Sequence, residues 1–334
     1  MDPTNPESFN HRTELLSTGK RYHFVDQIPE SYNPETTPTL LCIHGFPDLW
    51  YAWRFAIVPW VNKCGWRVVV PDMLGYGGTD KPEKLEEYSF KSLCADMSAL
   101  LDLIGVKRAV IIGHDWGSFM SWRFALWYPK KTLALITLSV PFDPPKTKHL
   151  PLQEVVERLP NLKYQLYFND PSSTQDANEN IPNFLAGLHR FQVATNPTQS
   201  TDPKTRFIQT EHPISESYMT PTEFDYYVKN FTQGGMNGPL NYYRTRDINF
   251  KEEFEAKLSS YIPASIPILF IYGDKDRTCA RSSVERSLEY APQMRVFELF
   301  DVGHWIPVQA SETLSAAVAE FVRTTLRNST EAKL

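Results

Sequence analysis

The sequence predicts an α/β fold: a mostly parallel sheet flanked by helices and interrupted by one helical insertion. Three observations carry that reading. Short runs that are nearly all apolar recur through the first half, at Leu40-Leu41-Cys42-Ile43, Val68-Val69-Val70, Ala109-Val110-Ile111-Ile112 and Leu133-Ala134-Leu135-Ile136. Each is β-rich, bounded by turn residues and free of alternation, the pattern of strands buried on both faces of a parallel sheet. Helical patterns lie between them, which makes βαβ units with right-handed crossovers. The rhythm stops after Val140 and resumes at Ile268.

The elements follow in order. Thr13 to Leu16 and Tyr22 to Asp26 read as an antiparallel opening hairpin. Ser89 stands as an N-cap before Phe90, Leu93, Met97, Leu100, Leu101 and Ile104 at helical spacing, and Gly105 takes the C′ position. From Pro141 to about Ile248, prolines, aromatics and Asn/Gln/Ser clusters separate short amphipathic pieces, with no clear buried strand. Ile268 to Tyr272 and Arg295 to Phe300 read as the last two strands. A final helix carries Leu314, Ala317, Val318, Phe321 and Val322 and is predicted to end near Leu326. Residues 1–140 and 249–334 then form the α/β core, and 141–248 the insertion.

Composition excludes several classes. Hydrophobic residues make up 42% of the 334, enough to bury a core, so disorder is not expected. The net charge of -5 gives no basic footprint for nucleic acid. No run approaches the roughly 18 apolar residues of a membrane span. Residues Met1 to Arg12 lack an apolar h-region, so a secretory signal peptide is not expected. The four cysteines form no CxxC pair, which argues against a zinc site or a disulfide framework and for a reducing compartment. No pattern in the chain specifies an oligomeric state. Aromatics reach 13%, which suits a large core or an apolar pocket with polar handles.

The chemistry lies at four strand ends. Gly113-His114-Asp115-Trp116-Gly117 runs from a buried strand into a helical pattern. This is a nucleophile elbow with aspartate where serine is usual. An N-cap aspartate is the plainer alternative, but a cap does not need both flanking glycines. His44-Gly45-Phe46-Pro47 ends an earlier strand. Backbone N–H groups of Phe46 and Trp116 are placed to form an oxyanion hole, while His44 reads as a structural histidine. Asp274-Lys275-Asp276 leaves one late strand, and Asp301-Val302-Gly303-His304 leaves the next. Asp276 is the choice to orient His304; Asp274 reads as a turn brace, with Asp301 and Asp143 as rivals. Gly75-Tyr76-Gly77-Gly78 lacks a P-loop lysine and reads as a turn.

On these residues the chain resembles the α/β-hydrolase fold over nearly its whole length, and more narrowly the soluble epoxide hydrolases. Tyr164-Gln165-Leu166-Tyr167-Phe168 and Gly238-Pro239-Leu240-Asn241-Tyr242-Tyr243-Arg244 are similar to that family's tyrosine-bearing lid segments. The resemblance assigns Tyr164 and Tyr243 as acids, with Tyr167 and Tyr242 leaving the register open. It implies attack by Asp115 on a small apolar epoxide, an alkyl ester, and hydrolysis by water that His304 activates. The product is a vicinal diol, and neither metal nor organic cofactor is implied. A haloalkane dehalogenase shares the aspartate elbow and the following tryptophan. A non-catalytic hydrolase-like binding protein is the alternative from another class. Cytoplasm is the default location. The terminal Ala332-Lys333-Leu334 resembles the Ser-Lys-Leu peroxisomal address, which makes peroxisomal import the alternative.

Overall fold

A computed structural model describes residues 1–191, 202–209 and 218–331. Eight strands form one sheet: β1 His11–Leu15, β2 Arg21–Gln27, β3 Thr39–Ile43, β4 Arg67–Pro71, β5 Ala109–His114, β6 Thr132–Leu138, β7 Ile268–Gly273 and β8 Met294–Leu299. Their order is β1-β2-β4-β3-β5-β6-β7-β8. The opening hairpin is antiparallel, β2 is also antiparallel to β4, and every pair from β4 to β8 is parallel. All residues of β3, β4, β5 and β7 are buried, as their unbroken apolar runs require. Strand β8 differs: Arg295, Val296 and Phe297 are exposed, because it is an edge with only β7 beside it.

Helices α1 Arg54–Asn62, α2 Phe90–Leu103 and α3 Trp116–Trp127 connect the strands of the first half. Ser89 caps α2 by accepting the Ser92 N–H, and Gly105 follows it at φ 72°. Between β6 and β7 lie α4 Leu152–Arg158, α5 Tyr164–Asn169, α6 Ser172–Glu179, α7 Ile181–Phe191, α8 Pro221–Gly234, α9 Asn237–Asn241 and α10 Arg246–Glu255. The boundary at 248 therefore falls inside α10. Helices α11 Arg281–Tyr290, α12 Ile306–Gln309 and α13 Ser311–Glu331 complete the chain. Helix α13 passes the expected end at Leu326 and reaches Glu331. Arg327 to Glu331 contains neither glycine nor proline, so nothing local stops it. Ala332-Lys333-Leu334 lies outside the described residues. Among those described, no helix is long and apolar enough to cross a membrane.

The aromatic content serves both expected purposes. Trp50, Trp53, Trp60 and Trp122 are fully buried core residues. Polar contacts, some of them from aromatic side chains, join the insertion to the helices and loops beside the sheet. Arg54 Nε donates to Glu223 of α8 at 2.9 Å, and Arg123 Nε to Glu253 of α10 at 2.7 Å. Tyr227 Oη donates to Asp48 at 2.6 Å, and Trp50 Nε1 to Tyr226 Oη at 2.9 Å. Removing one partner of such a buried ion pair strands a charge, at a cost of about 3–5 kcal/mol.

Candidate active site

The elbow is built by backbone shape. Asp115 holds φ 54° and ψ -120°, between the end of β5 and the first turn of α3. A non-glycine residue in this region stores about 1–3 kcal/mol, tolerated where the surroundings over-determine it. They do so here. A Cβ on Gly113 would overlap the Gly117 carbonyl, and one on Gly117 would overlap the carbonyl of Ile43. Both glycines are thus required by close strand–helix approach.

Asp115 is buried yet bonded on both oxygens. The Phe46 N–H donates to Oδ1 at 2.9 Å, and His304 Nε2 lies 3.4 Å from Oδ2. Burial alone would raise the carboxyl, but His304 and the Phe46 N–H outweigh it and hold Asp115 below its usual 3.8. Trp116 occupies the first helical position after it, where backbone N–H groups lack intrahelical acceptors.

His304 faces two carboxylates. Its Nδ1 lies 2.9 Å from Oδ2 of Asp276, whose side chain is fully buried. Burial disfavours the imidazolium, but the Asp276 charge and the bond to Asp115 prevail and push His304 up to about 10. Asp276 is itself held low: burial raises it, and His304 and Thr278 more than offset that. The rivals stand elsewhere. Asp274 accepts the Val302 N–H at 3.3 Å, a turn brace. The Asp301 side chain is 94% exposed beside Lys275, and Asp143 pairs with Lys146. Asp276→Asn is therefore expected to slow turnover at least about 100-fold, whereas Asp301→Asn should stay within about twofold in the same steady-state assay.

His44 is committed to structure. Its Nε2 accepts the Met73 N–H at 2.9 Å and its Nδ1 faces the Gly45 carbonyl at 2.9 Å. Burial pushes it down to about 4, so it is neutral.

Tyr164 and Tyr243, the candidate acids, line the same cavity as Asp115. Tyr164, at the start of α5, and Tyr243, just after α9, have ring centroids 6.3 Å apart. Tyr243 packs edge-on against Phe46 at 5.1 Å and Trp116 at 5.0 Å. Both phenols are raised, first by burial; proximity to Asp115 adds to the shift. The neighbouring tyrosines are also hydrogen-bonded, and Tyr242 lines the same cavity. Tyr167 Oη donates to Asp176 at 2.9 Å, and Tyr242 Oη donates to the Leu74 carbonyl at 3.0 Å. A cavity of about 410 Å³ is lined by Asp115, Trp116, Tyr164 and Tyr243, with Phe90, Phe119, Leu159 and Phe250 among its apolar walls.

Three supporting residues escaped the sequence reading. His114 Nε2 lies 2.8 Å from the His304 carbonyl, and Ser139 Oγ donates to the same oxygen at 3.1 Å. Thr278 donates to Asp276 through its N–H and its hydroxyl. Only Thr278 left a local signal, since Asp-x-Thr is an Asx-turn pattern.

Comparison with known proteins shows the family. Residues 38–311 match the family described as the alpha/beta hydrolase fold. The epoxide hydrolase srdG of Neurospora crassa is 31% identical, over 97% of this chain and 98% of that protein. The bifunctional epoxide hydrolase 2 of Sus scrofa is 30% identical over 98% of this chain, which spans 58% of that protein's length. The crystal structure of an epoxide hydrolase from Vigna radiata superposes with a TM-score of 0.79 at 28% identity, covering 95% of this chain and 99% of that one. With an aspartate elbow, a histidine paired to a buried carboxylate and near full-length relatives of this kind, the chain belongs to the α/β-hydrolase fold family and, within it, to the epoxide hydrolases.

Proposed function

We propose that this protein hydrolyses small apolar epoxides to vicinal diols through a covalent ester on Asp115. The observation that carries the reading is a shared cavity: an ionised carboxylate, the half-buried Tyr164 and the buried Tyr243 line one largely apolar space. A carboxylate attacks a strained carbon without a base, and a phenol supplies the proton that the opening ring needs.

The two oxygens of Asp115 divide the work. Oδ1 is held by the Phe46 N–H, so Oδ2 is the nucleophile. It bonds to an epoxide carbon, the carbon–oxygen bond of the ring breaks, and the oxygen takes a proton from Tyr164 or Tyr243. Esterification removes one of the two negative charges that keep His304 protonated, so the ring gives its proton to the phenolate left by ring opening and becomes a neutral base. Nε2 then removes a proton from water. The hydroxide attacks the ester carbonyl carbon, and the Phe46 and Trp116 N–H groups hold the oxyanion. The acyl–oxygen bond breaks, the diol leaves with a proton from His304, the new Asp115 carboxyl passes its proton back to His304, and one water oxygen remains in Asp115. Asp276 orients the ring throughout. No step calls for a metal or a cofactor.

The tyrosine pair supports an epoxide over a haloalkane, because a leaving halide needs no proton. Tyr164→Phe and Tyr243→Phe are each expected to slow ester formation about 10- to 100-fold. The double change should lose at least about 1,000-fold, because neither phenol can then cover for the other. Rapid-mixing kinetics of ester formation, with diol and halide release measured side by side, test this. Normal ester formation in the double variant, or halide release without diol formation, would overturn the reading.

A further inference from the structure

We propose that Thr278 is a positioning residue of the His304–Asp276 pair: its hydroxyl and N–H fix the Asp276 carboxylate and thereby decide which nitrogen of His304 carries the proton. The inference rests on the function proposed above. Three contacts converge on this side chain. The Thr278 N–H donates to Oδ1 of Asp276 at 2.8 Å, and Oγ1 donates to the same oxygen at 2.8 Å. The same Oγ1 lies 3.1 Å from Nδ1 of His304.

A hydroxyl has one proton and two lone pairs. Its proton goes to Asp276, because a carboxylate only accepts. The oxygen therefore turns a lone pair toward His304, where it can meet only an Nδ1–H. Asp276 Oδ2, at 2.9 Å, demands the same proton. The two acceptors exclude the other tautomer, which leaves the lone pair of neutral His304 on Nε2, 3.4 Å from Asp115. Two donors on Oδ1 also stop the carboxylate from rotating and leave Oδ2 for the ring. Asparagine or a rotated carboxylate would offer neither constraint. Thr278 also lines the cavity, so the hydroxyl sits at the boundary between the buried pair and the substrate space.

The second consequence concerns basicity. Hydrogen bonds to Asp276 spread its charge and weaken its hold on the imidazolium proton. Thr278 thus eases His304 toward the neutral form in the ester stage. The other groups that face the ring are Asp276 and Asp115, both ionised, and His114 and His189, both kept neutral by burial. None of these competes with Thr278 for Oδ1 of Asp276.

The test pairs two measurements on the full chain. In an Asp115→Asn background, whose neutral side chain stands in for the ester, the His304 ring is titrated by nitrogen-15 NMR. Thr278→Val, which keeps the shape and drops the hydroxyl, should move the titration upward by about 0.5 to 1 pH unit, and Thr278→Ser should restore it. With Asp115 intact, single-turnover hydrolysis of the ester by Thr278→Val should slow about three- to tenfold below the midpoint, with the whole pH profile displaced upward. Ester formation should stay within about twofold. Thr278→Ala serves as the second hydroxyl-free variant if valine does not fold. An unmoved titration, or slower hydrolysis with an undisplaced profile, would overturn the proposal and reduce Thr278 to packing. A wild type that never forms the ester but whose titration moves would sink the proposed function and leave this inference standing.

Discussion

Asp115→Ala is expected to abolish diol formation, with a loss on the order of 10⁴-fold or more, because the proposed ester forms on Asp115, which lines the cavity together with Tyr164 and Tyr243. The fold should survive. Alanine tolerates the elbow poorly, but the backbone there is fixed by Gly113, Gly117 and the end of β5 rather than by the carboxylate. A companion experiment assigns the atom. Wild type given excess substrate in oxygen-18 water for less than one turnover should carry the label in the Asp115 carboxylate, and diol should acquire it only in later turnovers. Mass spectrometry of the peptide containing Asp115 reads this directly. Label appearing first in diol would mean direct attack by water and would remove Asp115 as the nucleophile.

His304→Gln separates the two half-reactions. Glutamine retains a polar contact near Asp115 but cannot accept a proton from water. Ester formation should proceed within about tenfold of wild type, and ester hydrolysis should fall by at least about 1,000-fold. Intact-mass measurement should then show the protein plus one substrate, stable for hours. The pH dependence carries the sign of the argument. The resting ring is pushed up to about 10 by two carboxylates, and the ester removes one of them. The hydrolysis step in wild type should therefore rise with pH through a midpoint well below 10. Folding follows the opposite course. A group raised on folding stabilises fully below its unfolded value near 6.5, and that contribution is lost as the pH rises toward 10. Unreacted His304→Gln that still binds substrate would assign the residue to the first step instead.

The fold was legible because its signal is local. Residues 40–43, 68–70 and 109–112 are apolar without alternation, and only a strand covered on both faces tolerates that. Ser89 and Gly105 mark the ends of α2 by backbone requirements that hold in any context. The insertion was legible mainly as an interruption. Most of its described helices are short, so few stretches show a long periodic run. Helix α13 runs on past Leu326 because polar residues do not end a helix, whereas a breaker or a cap does.

By itself the sequence determined the parts of the site that are tied to a turn. An elbow needs small residues at fixed offsets, so Asp115 between Gly113 and Gly117 declares itself, as does Phe46 at the end of β3 and His304 after Gly303. The tertiary structure alone decided which of several similar groups point inward. Asp276 and Asp301 are both near His304 in the chain's logic, yet one is sealed against the ring and the other is in water. Of the four tyrosines that the sequence offers, Tyr164, Tyr242 and Tyr243 line the cavity, while Tyr167 bonds Asp176 and Tyr242 also bonds the Leu74 carbonyl. The reason is physical: strand-end motifs are fixed by covalent neighbours and backbone sterics, which a sequence spells out. The direction of a side chain on an inserted helix depends on tertiary partners that can be more than 100 residues away, as Leu74 is from Tyr242.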